Sequence, residues 1–224
     1  MKLPNFKQEK KIFQLYHLPI IAVDEAGRGP LAGPVTAGAI LIKNPHFKAS
    51  QAPIKIRDSK KLTARERQIL YLWITQQKNL KFSYANVGNK IIDKINIRNA
   101  THSAMIRAIK KLNIKNYILL IDGKDKLIKL NPKIKQFTFI KGDEKLISLS
   151  LASIVAKVKR DKLMINFSKK YPEYFFENHK GYGTKVHYQQ IKKYGISEIH
   201  RISFLKNLNN KYWNSMCHGR ESNP

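Results

Sequence analysis

Acidic residues are scarce in this chain: 15 Asp and Glu stand against 43 Lys and Arg, a formal net charge of +28. The positions of the few carboxylates are therefore informative. Asp24 and Glu25 follow the apolar run Leu18–Val23, Asp122 follows Tyr117–Ile121, and Asp143 follows Phe137–Ile140 and Lys141-Gly142. Carboxylates brought together repel one another unless hard cations hold them, and Mg²⁺ or Mn²⁺ with oxygen ligands meets that need. Such a set requires no Ser or Cys nucleophile, and no Ser- or Cys-based triad stands out. Any one of these Asp residues could equally serve as a turn or helix-cap residue. Three strand ends together favour a site.

The elements that would carry these residues follow from periodicity. Leu18–Val23 has the length of a buried strand, Val35–Ile42 is a second after a Gly/Pro-rich turn, and Phe82–Val87 is a third. Thr63-Ala-Arg-Glu66 is a capping box ahead of Ile69, Leu70, Trp73 and Ile74 on one helical face. Asn96 caps a helix whose inner face carries Ala100, Ala104, Met105, Ala108, Ile109 and Leu112. Tyr117–Ile121 and Phe137–Ile140 are further strands. A long helix fits Glu144 to about Lys170, and a shorter one fits Thr184 to Tyr194, closed by Gly195. The order β-β-(α)-β-α-β-β-α-α predicts an α/β domain whose first three strands form an antiparallel meander.

In open α/β sheets, sites form beyond the strand ends. Neighbouring strand residues face opposite sides, so Asp24 and Glu25 share a site only if the strand breaks there. Ala26-Gly27-Arg28-Gly29-Pro30 is a sequence that would break it. Core pattern is weak at both termini, which predicts an N-terminal arm (1–17), one domain (18–204) and a polar tail (205–224).

A field of +28 attracts polyanions, of which nucleic acid is the commonest, although a Lys-, Ile- and Asn-rich composition also reflects coding bias. Charge does not separate a binder from an enzyme. The single cysteine, Cys217, excludes an intramolecular disulfide and a Cys-based zinc cluster, which fits a reducing cytoplasm. The N-terminus lacks an apolar segment of signal-peptide length, and the longest apolar runs are too short to span a bilayer. The expectation is a soluble, cytoplasmic protein with no membrane partner.

Asp24-Glu25-Ala-Gly-Arg-Gly-Pro-Leu-Ala-Gly-Pro-Val35 resembles the opening motif of the ribonuclease HII family. The resemblance continues through Asp58-Ser59-Lys60-Lys61-Leu62, Asn96-Ile97 with Ala100-Thr101, Ile121-Asp122-Gly123 and Lys141-Gly142-Asp143. It ends with Ala152–Asp161, His179–Thr184 with His187, and His200-Arg201 with Ser203-Phe204. All of this lies in family order over residues 18–204. Two departures stand out: Ser148-Leu149-Ser150-Leu151, where the family has small residues such as Ala, and a tail without a proline-containing ending.

The resemblance implies a ribonuclease H-like α/β fold, with a mixed five-stranded sheet flanked by helices and a C-terminal helical extension. It implies a catalytic set of Asp24, Glu25, Asp122 and Asp143 holding two Mg²⁺ or Mn²⁺ ions. The activity implied is endonucleolytic hydrolysis of the RNA strand of RNA–DNA hybrids, and incision 5′ of single ribonucleotides embedded in duplex DNA. The ends left would be 5′-phosphate and 3′-hydroxyl. RNA–DNA hybrid and ribonucleotide-containing DNA are the implied partners of a monomer, and the sequence names no sliding-clamp partner.

The 2′-hydroxyl marks RNA at a given sugar. Gly27, Arg28 and Gly29 would approach it, Arg28 reaching phosphate. Tyr182, between Gly181 and Gly183, matches the family tyrosine that stacks on the deoxyribose at an RNA–DNA junction. Lys60 is a candidate phosphate ligand, with Lys61 as its alternative, and Asp58 a loop organiser. Lys157, Lys159, Arg160 and Lys162 are expected on a solvated or backbone-binding face. His179, His187 and His200 are expected to make structural hydrogen bonds, and Asp125 and Asp161 to be surface or ion-paired. Two alternatives remain: the sibling class ribonuclease HIII, which carries an extra N-terminal domain, and a non-catalytic nucleic-acid binder with a remnant acidic cluster.

Overall fold

The computed structural model describes residues 3–44 and 47–205. Its strands are β1 (Ile20–Ala26), β2 (Val35–Ile42), β3 (Leu80–Val87), β4 (Ile118–Asp122) and β5 (Gln136–Phe139). Every residue of β2 is buried, as expected of a strand covered on both faces. The sheet order is β3-β2-β1-β4-β5. β1, β2 and β3 form the antiparallel meander, while β4 pairs parallel with β1 and β5 parallel with β4. The carboxyl ends of β1 and β4 are therefore neighbours; β4 ends in Asp122, and β1 carries Asp24 and Glu25 just before its last residue.

The helices are α1 (Lys7–Tyr16), α2 (Ala64–Gln76), α3 (Asn89–Lys111), α4 (Ile147–Lys170), α5 (Phe176–His179) and α6 (Lys185–Tyr194). Strand alternation splits the core into two layers. Ile20, Ala22, Ile40 and Ile118 pack with α1, α2 and α4 through Phe13, Leu70, Trp73 and Val155. Ile21, Val23, Leu41 and Leu119 pack on the other face with Ala100, Ala104 and Ala108 of α3. A third cluster, including Leu31, Met164, Tyr174, Phe176 and Ile191, ties the C-terminal helices to the loop after β1.

Local signals hold where they are strong. The Thr63–Glu66 capping box forms in both directions. Asn96 caps as its sequence suggests: its Oδ1 accepts the Asn99 N–H at 3.0 Å. The helix nevertheless begins earlier, at Asn89, and kinks at Asn96, where φ is 63°.

Two expectations are corrected. The segment before the first strand is not a featureless arm, because α1 buries Ile12 and Phe13 against the sheet. Its Glu9 accepts the Ser148 N–H and hydroxyl at 3.0 and 2.9 Å, so an acidic side chain meets the start of α4. This also accounts for one serine of the Ser148–Leu151 departure. Secondly, β1 does not break at Asp24; it continues to Ala26 because β2 still pairs with it there. Only the β4 side stops, at Val23↔Ile121, leaving Asp24 and Glu25 on a free strand margin. The predicted tail beyond Leu205, with Cys217, lies outside the described residues. Among the described residues no helix is long and apolar enough to cross a membrane.

Candidate active site

Alternation sends Asp24 to the α4 side of the sheet and Glu25 to the α3 side, with Asp122 at the end of the adjacent strand. Asp143 arrives on the single 3-10 turn Gly142–Glu144 that precedes α4. The Ser150 hydroxyl donates to the Asp143 carbonyl at 2.5 Å, which pins that turn to α4 and accounts for the second unusual serine. Asp24 and Asp143 are buried, each about 4% exposed.

Asp24 lies within electrostatic reach of Glu25, Asp122 and Asp143. Burial raises the Asp24 carboxyl well above its usual range, and Glu25, Asp122 and Asp143 raise it further, against a hydrogen bond from Ser153. Burial also raises Glu25, with Asp122 adding to it and Arg28 opposing it. Asp143 is pushed up to about 6 by burial, Asp122 and Asp58, against the pull of Lys60.

As the side chains stand, no three His, Cys, Asp or Glu groups among the described residues close on a single point as metal ligands. Local donors hold them instead. Asp24 Oδ1 accepts the Glu25 N–H at 2.6 Å, Asp122 Oδ1 accepts the Gly142 N–H at 2.6 Å, and Arg28 reaches Glu25 at 3.4 Å. The donor chemistry still fits divalent cations. It consists of hard carboxylate oxygens whose mutual repulsion Arg28 and Lys60, two cations against four acids, offset only in part.

Around this set the loops are closely tied. Lys60 Nζ stands 4.0 Å from Asp143 and is largely exposed, whereas Lys61 pairs with Asp58 and Glu144 at 3.9 and 3.6 Å. Burial works against the Lys60 ammonium, yet Asp143, Asp58, Asp24 and Asp122 together raise it. Asp58 organises its loop by accepting the Lys60 N–H at 2.9 Å. The Ser59 and Ser153 hydroxyls meet at 2.9 Å, joining this loop to α4 beside Asp24. A cavity of about 240 Å³ opens on the α3 side of Glu25 and Asp122, walled by Arg28, Thr101, His102 and Lys141.

Gly27 has φ +92°, and a Cβ there would fall 1.9 Å from Arg160 Nε. No L side chain fits, because the loop packs directly on the buried Arg160 side chain there. Arg28 and Gly29 are exposed. Tyr182 is 43% exposed, and its ring lies beside Gly29.

The histidines form one hydrogen-bonded chain away from the carboxylates. Ser197 N–H donates to His200 Nδ1 at 2.8 Å, so His200 donates from Nε2 to His187 Nε2 at 3.0 Å. His187 then donates from Nδ1 to the Tyr182 carbonyl at 2.9 Å. Burial holds His187 down to about 4 and His200 to about 3, so both are neutral. His179 stacks on His187 and bonds the Tyr174 carbonyl and the Gly181 N–H. Asp125 pairs with Arg98 at 2.9 Å, and Asp161 with Lys157 at 2.8 Å.

One expectation fails outright. Arg160 is not on a solvated face but 0% exposed, as is Arg201. The first sits in a run of basic residues that resembles a wet helix face. Its acceptors are backbone carbonyls far away in sequence, so no local signal marks it.

The family model described as Ribonuclease HII matches residues 21–207. A Ribonuclease HII of Caldicellulosiruptor bescii is 47% identical over 204 residues, 91% of this chain and 94% of that protein. In fold, the ribonuclease H2 of Pyrococcus horikoshii OT3 superposes with a TM-score of 0.70 at 24% identity, covering 88% of this chain and 99% of that one. Bst-RNase HIII, in a structure with Mn²⁺, has a TM-score of 0.63 at 16% identity over 92% of this chain and 72% of its own. The five-stranded ribonuclease H-like fold, the matched profile and the identity across nine-tenths of the chain lead to one assignment: the chain belongs to the ribonuclease HII family.

Proposed function

We propose that the protein hydrolyses the RNA strand of RNA–DNA hybrids and incises on the 5′ side of single ribonucleotides embedded in duplex DNA. As a member of the ribonuclease HII family it is a metal-dependent endoribonuclease. The observation that carries the finer reading is the placement of Asp24, Glu25, Asp122 and Asp143 at or just beyond the carboxyl ends of three neighbouring parallel strands, β1, β4 and β5. Burial and neighbouring carboxylates raise Asp24, Glu25 and Asp143 above their usual range, within a strongly basic protein.

These four side chains would hold two divalent ions, Mg²⁺ or Mn²⁺. When bound, such ions supply Lewis-acid stabilisation of charge on the attacking and leaving oxygens of an in-line displacement. Water forms the new P–O bond and the bond from phosphorus to the 3′ oxygen breaks, leaving a 5′-phosphate and a 3′-hydroxyl. Lys60, exposed beside Asp143, would contact a phosphate, and Arg28, beside Glu25, would be the second cation at the rim. The backbone of Gly27, Arg28 and Gly29 approaches the sugar and distinguishes RNA by its 2′-hydroxyl. Tyr182, beside Gly29, offers a ring face to the neighbouring deoxyribose. The remaining basic surface contributes affinity for phosphate without sequence preference.

The test is a duplex carrying one ribonucleotide, incubated with Mg²⁺, with Mn²⁺ and with chelator. The expected result is one incision 5′ of the ribonucleotide, with a 3′-hydroxyl end and no product under chelation. Cleavage that persists in chelator, or that leaves a 2′,3′-cyclic phosphate, contradicts the proposal.

A further inference from the structure

Arg160 on α4 and Arg201 near the C-terminal end of the domain are fully buried, and among the described residues neither forms an ion pair. A buried guanidinium without a carboxylate is unusual, because desolvating the charge is costly unless every donor is satisfied. Here backbone carbonyls provide the satisfaction. Arg201 donates to the carbonyls of Gly27, Arg28 and Gly33 at 2.7, 2.9 and 2.9 Å. Arg160 donates to those of Pro34, Ala32 and Lys180 at 3.0, 3.2 and 3.0 Å. The Arg201 N–H takes the Leu31 carbonyl at 2.8 Å.

Five of the eight carbonyls of residues 27–34 are thus turned inward onto two side chains, and a sixth, that of Leu31, accepts the Arg201 N–H. No peptide bond here is cis. In a trans peptide the N–H points opposite to the carbonyl of the same plane. Turning the Gly27 and Arg28 carbonyls onto Arg201 therefore turns the N–H groups of Arg28 and Gly29 outward. Both residues are exposed, and among the described residues neither N–H has an acceptor. The two donors follow Glu25 by three and four residues, and Gly29 lies beside the Tyr182 ring. Arg160 holds that neighbouring loop as well, through the Lys180 carbonyl and with its guanidinium 5.9 Å from the Tyr182 ring centre.

We infer that Arg160 and Arg201 are positioning residues that aim the Arg28 and Gly29 amides at an oxygen of the ribonucleotide and so set discrimination between ribose and deoxyribose. This rests on the reading that residues 27–29 approach the sugar. The two guanidiniums act from beneath the loop and do not touch the nucleic acid. Their forked geometry matters more than their charge, since a single ammonium cannot span three carbonyls in different directions.

Substitution by lysine separates the two roles, because Arg201→Lys and Arg160→Lys keep the charge and lose the fork. The readout is the ratio of Kd values for an all-DNA duplex and for the same duplex with one ribonucleotide, measured in Ca²⁺ without turnover. Wild type should prefer the ribonucleotide. Arg201→Lys should lose about tenfold of that ratio, the worth of one or two hydrogen bonds, with all-DNA Kd unchanged and the protein folded by circular dichroism.

Retention of the wild-type ratio in both lysine variants overturns the inference. If wild type itself shows no preference, the reading of residues 27–29 falls instead. Should the variants fail to fold, amide hydrogen exchange in wild type decides. Arg28 and Gly29 should exchange fast in the free protein and slow with the ribonucleotide duplex but not with all-DNA. Protection of those amides in the free protein would show them turned inward and overturn the inference.

Discussion

Gly38 is a point at which the core and the site can be perturbed together. It pairs with Asp24 across β1 and β2, and α4 passes directly over it. A Cβ built there would lie 2.3 Å from the Ala152 carbonyl oxygen and 2.8 Å from the Ala156 nitrogen, both helix backbone. Ordinary contact begins near 3.4 Å, so Gly38→Ala must displace α4 by about 1.1 Å (3.4 − 2.3). Overpacking of this kind costs about 1–3 kcal/mol, which for a domain of this size corresponds to a Tm lower by roughly 2–12 °C. The displaced helix carries Ser153, bonded to Ser59 of the loop beside Asp24, and Ser150, bonded to the Asp143 carbonyl. A shift of that size at a reacting centre costs on the order of 100-fold in rate. Differential scanning fluorimetry and single-turnover cleavage, with Kd measured alongside, test both halves. An alanine variant with wild-type Tm and wild-type rate would show that the helix does not rest on the sheet at Gly38 and would refute the reasoning.

Three further outcomes are expected. Asp143→Asn should raise the Tm of the chelated protein at pH 8. Burial lifts the folded carboxyl from 3.8 to about 6, so a penalty of up to about 3 kcal/mol develops as pH rises through that interval; melts at pH 8 and pH 4 should show the gain only at the higher value. The neutral histidines act with the opposite sign: their stabilisation is complete above 6.5 and is lost as pH falls through about 4 for His187 and about 3 for His200. The shift of His187 alone is worth on the order of 3 kcal/mol, and a His187→Gln/His200→Gln variant with the same acid slope as wild type would contradict it. Tyr182→Ala should lower single-turnover rate on one embedded ribonucleotide by orders of magnitude while duplex Kd moves far less, and Tyr182→Phe should be much milder; equal losses in rate and affinity would remove Tyr182 from substrate recognition.

What could be seen in the sequence was what local interactions decide. Thr63 and Glu66 satisfy each other within one turn, and Val35–Ile42 is apolar apart from Thr36, whose hydroxyl bonds Asn86, because both its faces are covered. The four carboxylates were visible because acids are rare in this chain and fall after apolar runs. What was hidden depends on distant partners. Helix α1 offers only Ile12, Phe13 and Glu9 as buried residues, and Glu9 has meaning only once Ser148 is beside it. Strand β1 outlasts its acidic pair because β2 holds it there, a tertiary contact that overrides the expected break. Arg160 sits among lysines and resembles them until carbonyls some 126 and 128 residues away close over it.

The central claim is that Asp24, Glu25, Asp122 and Asp143 form a metal-dependent hydrolytic site rather than a structural acidic cluster. Its most direct test is the single-turnover rate of Asp24→Asn on a duplex with one ribonucleotide, with Kd for the same duplex determined in parallel. The prediction is a rate lower by on the order of 100-fold or more, with Kd and fold retained, because only an anionic ligand has been removed. Incision by Asp24→Asn at the wild-type rate would contradict the assignment of the site.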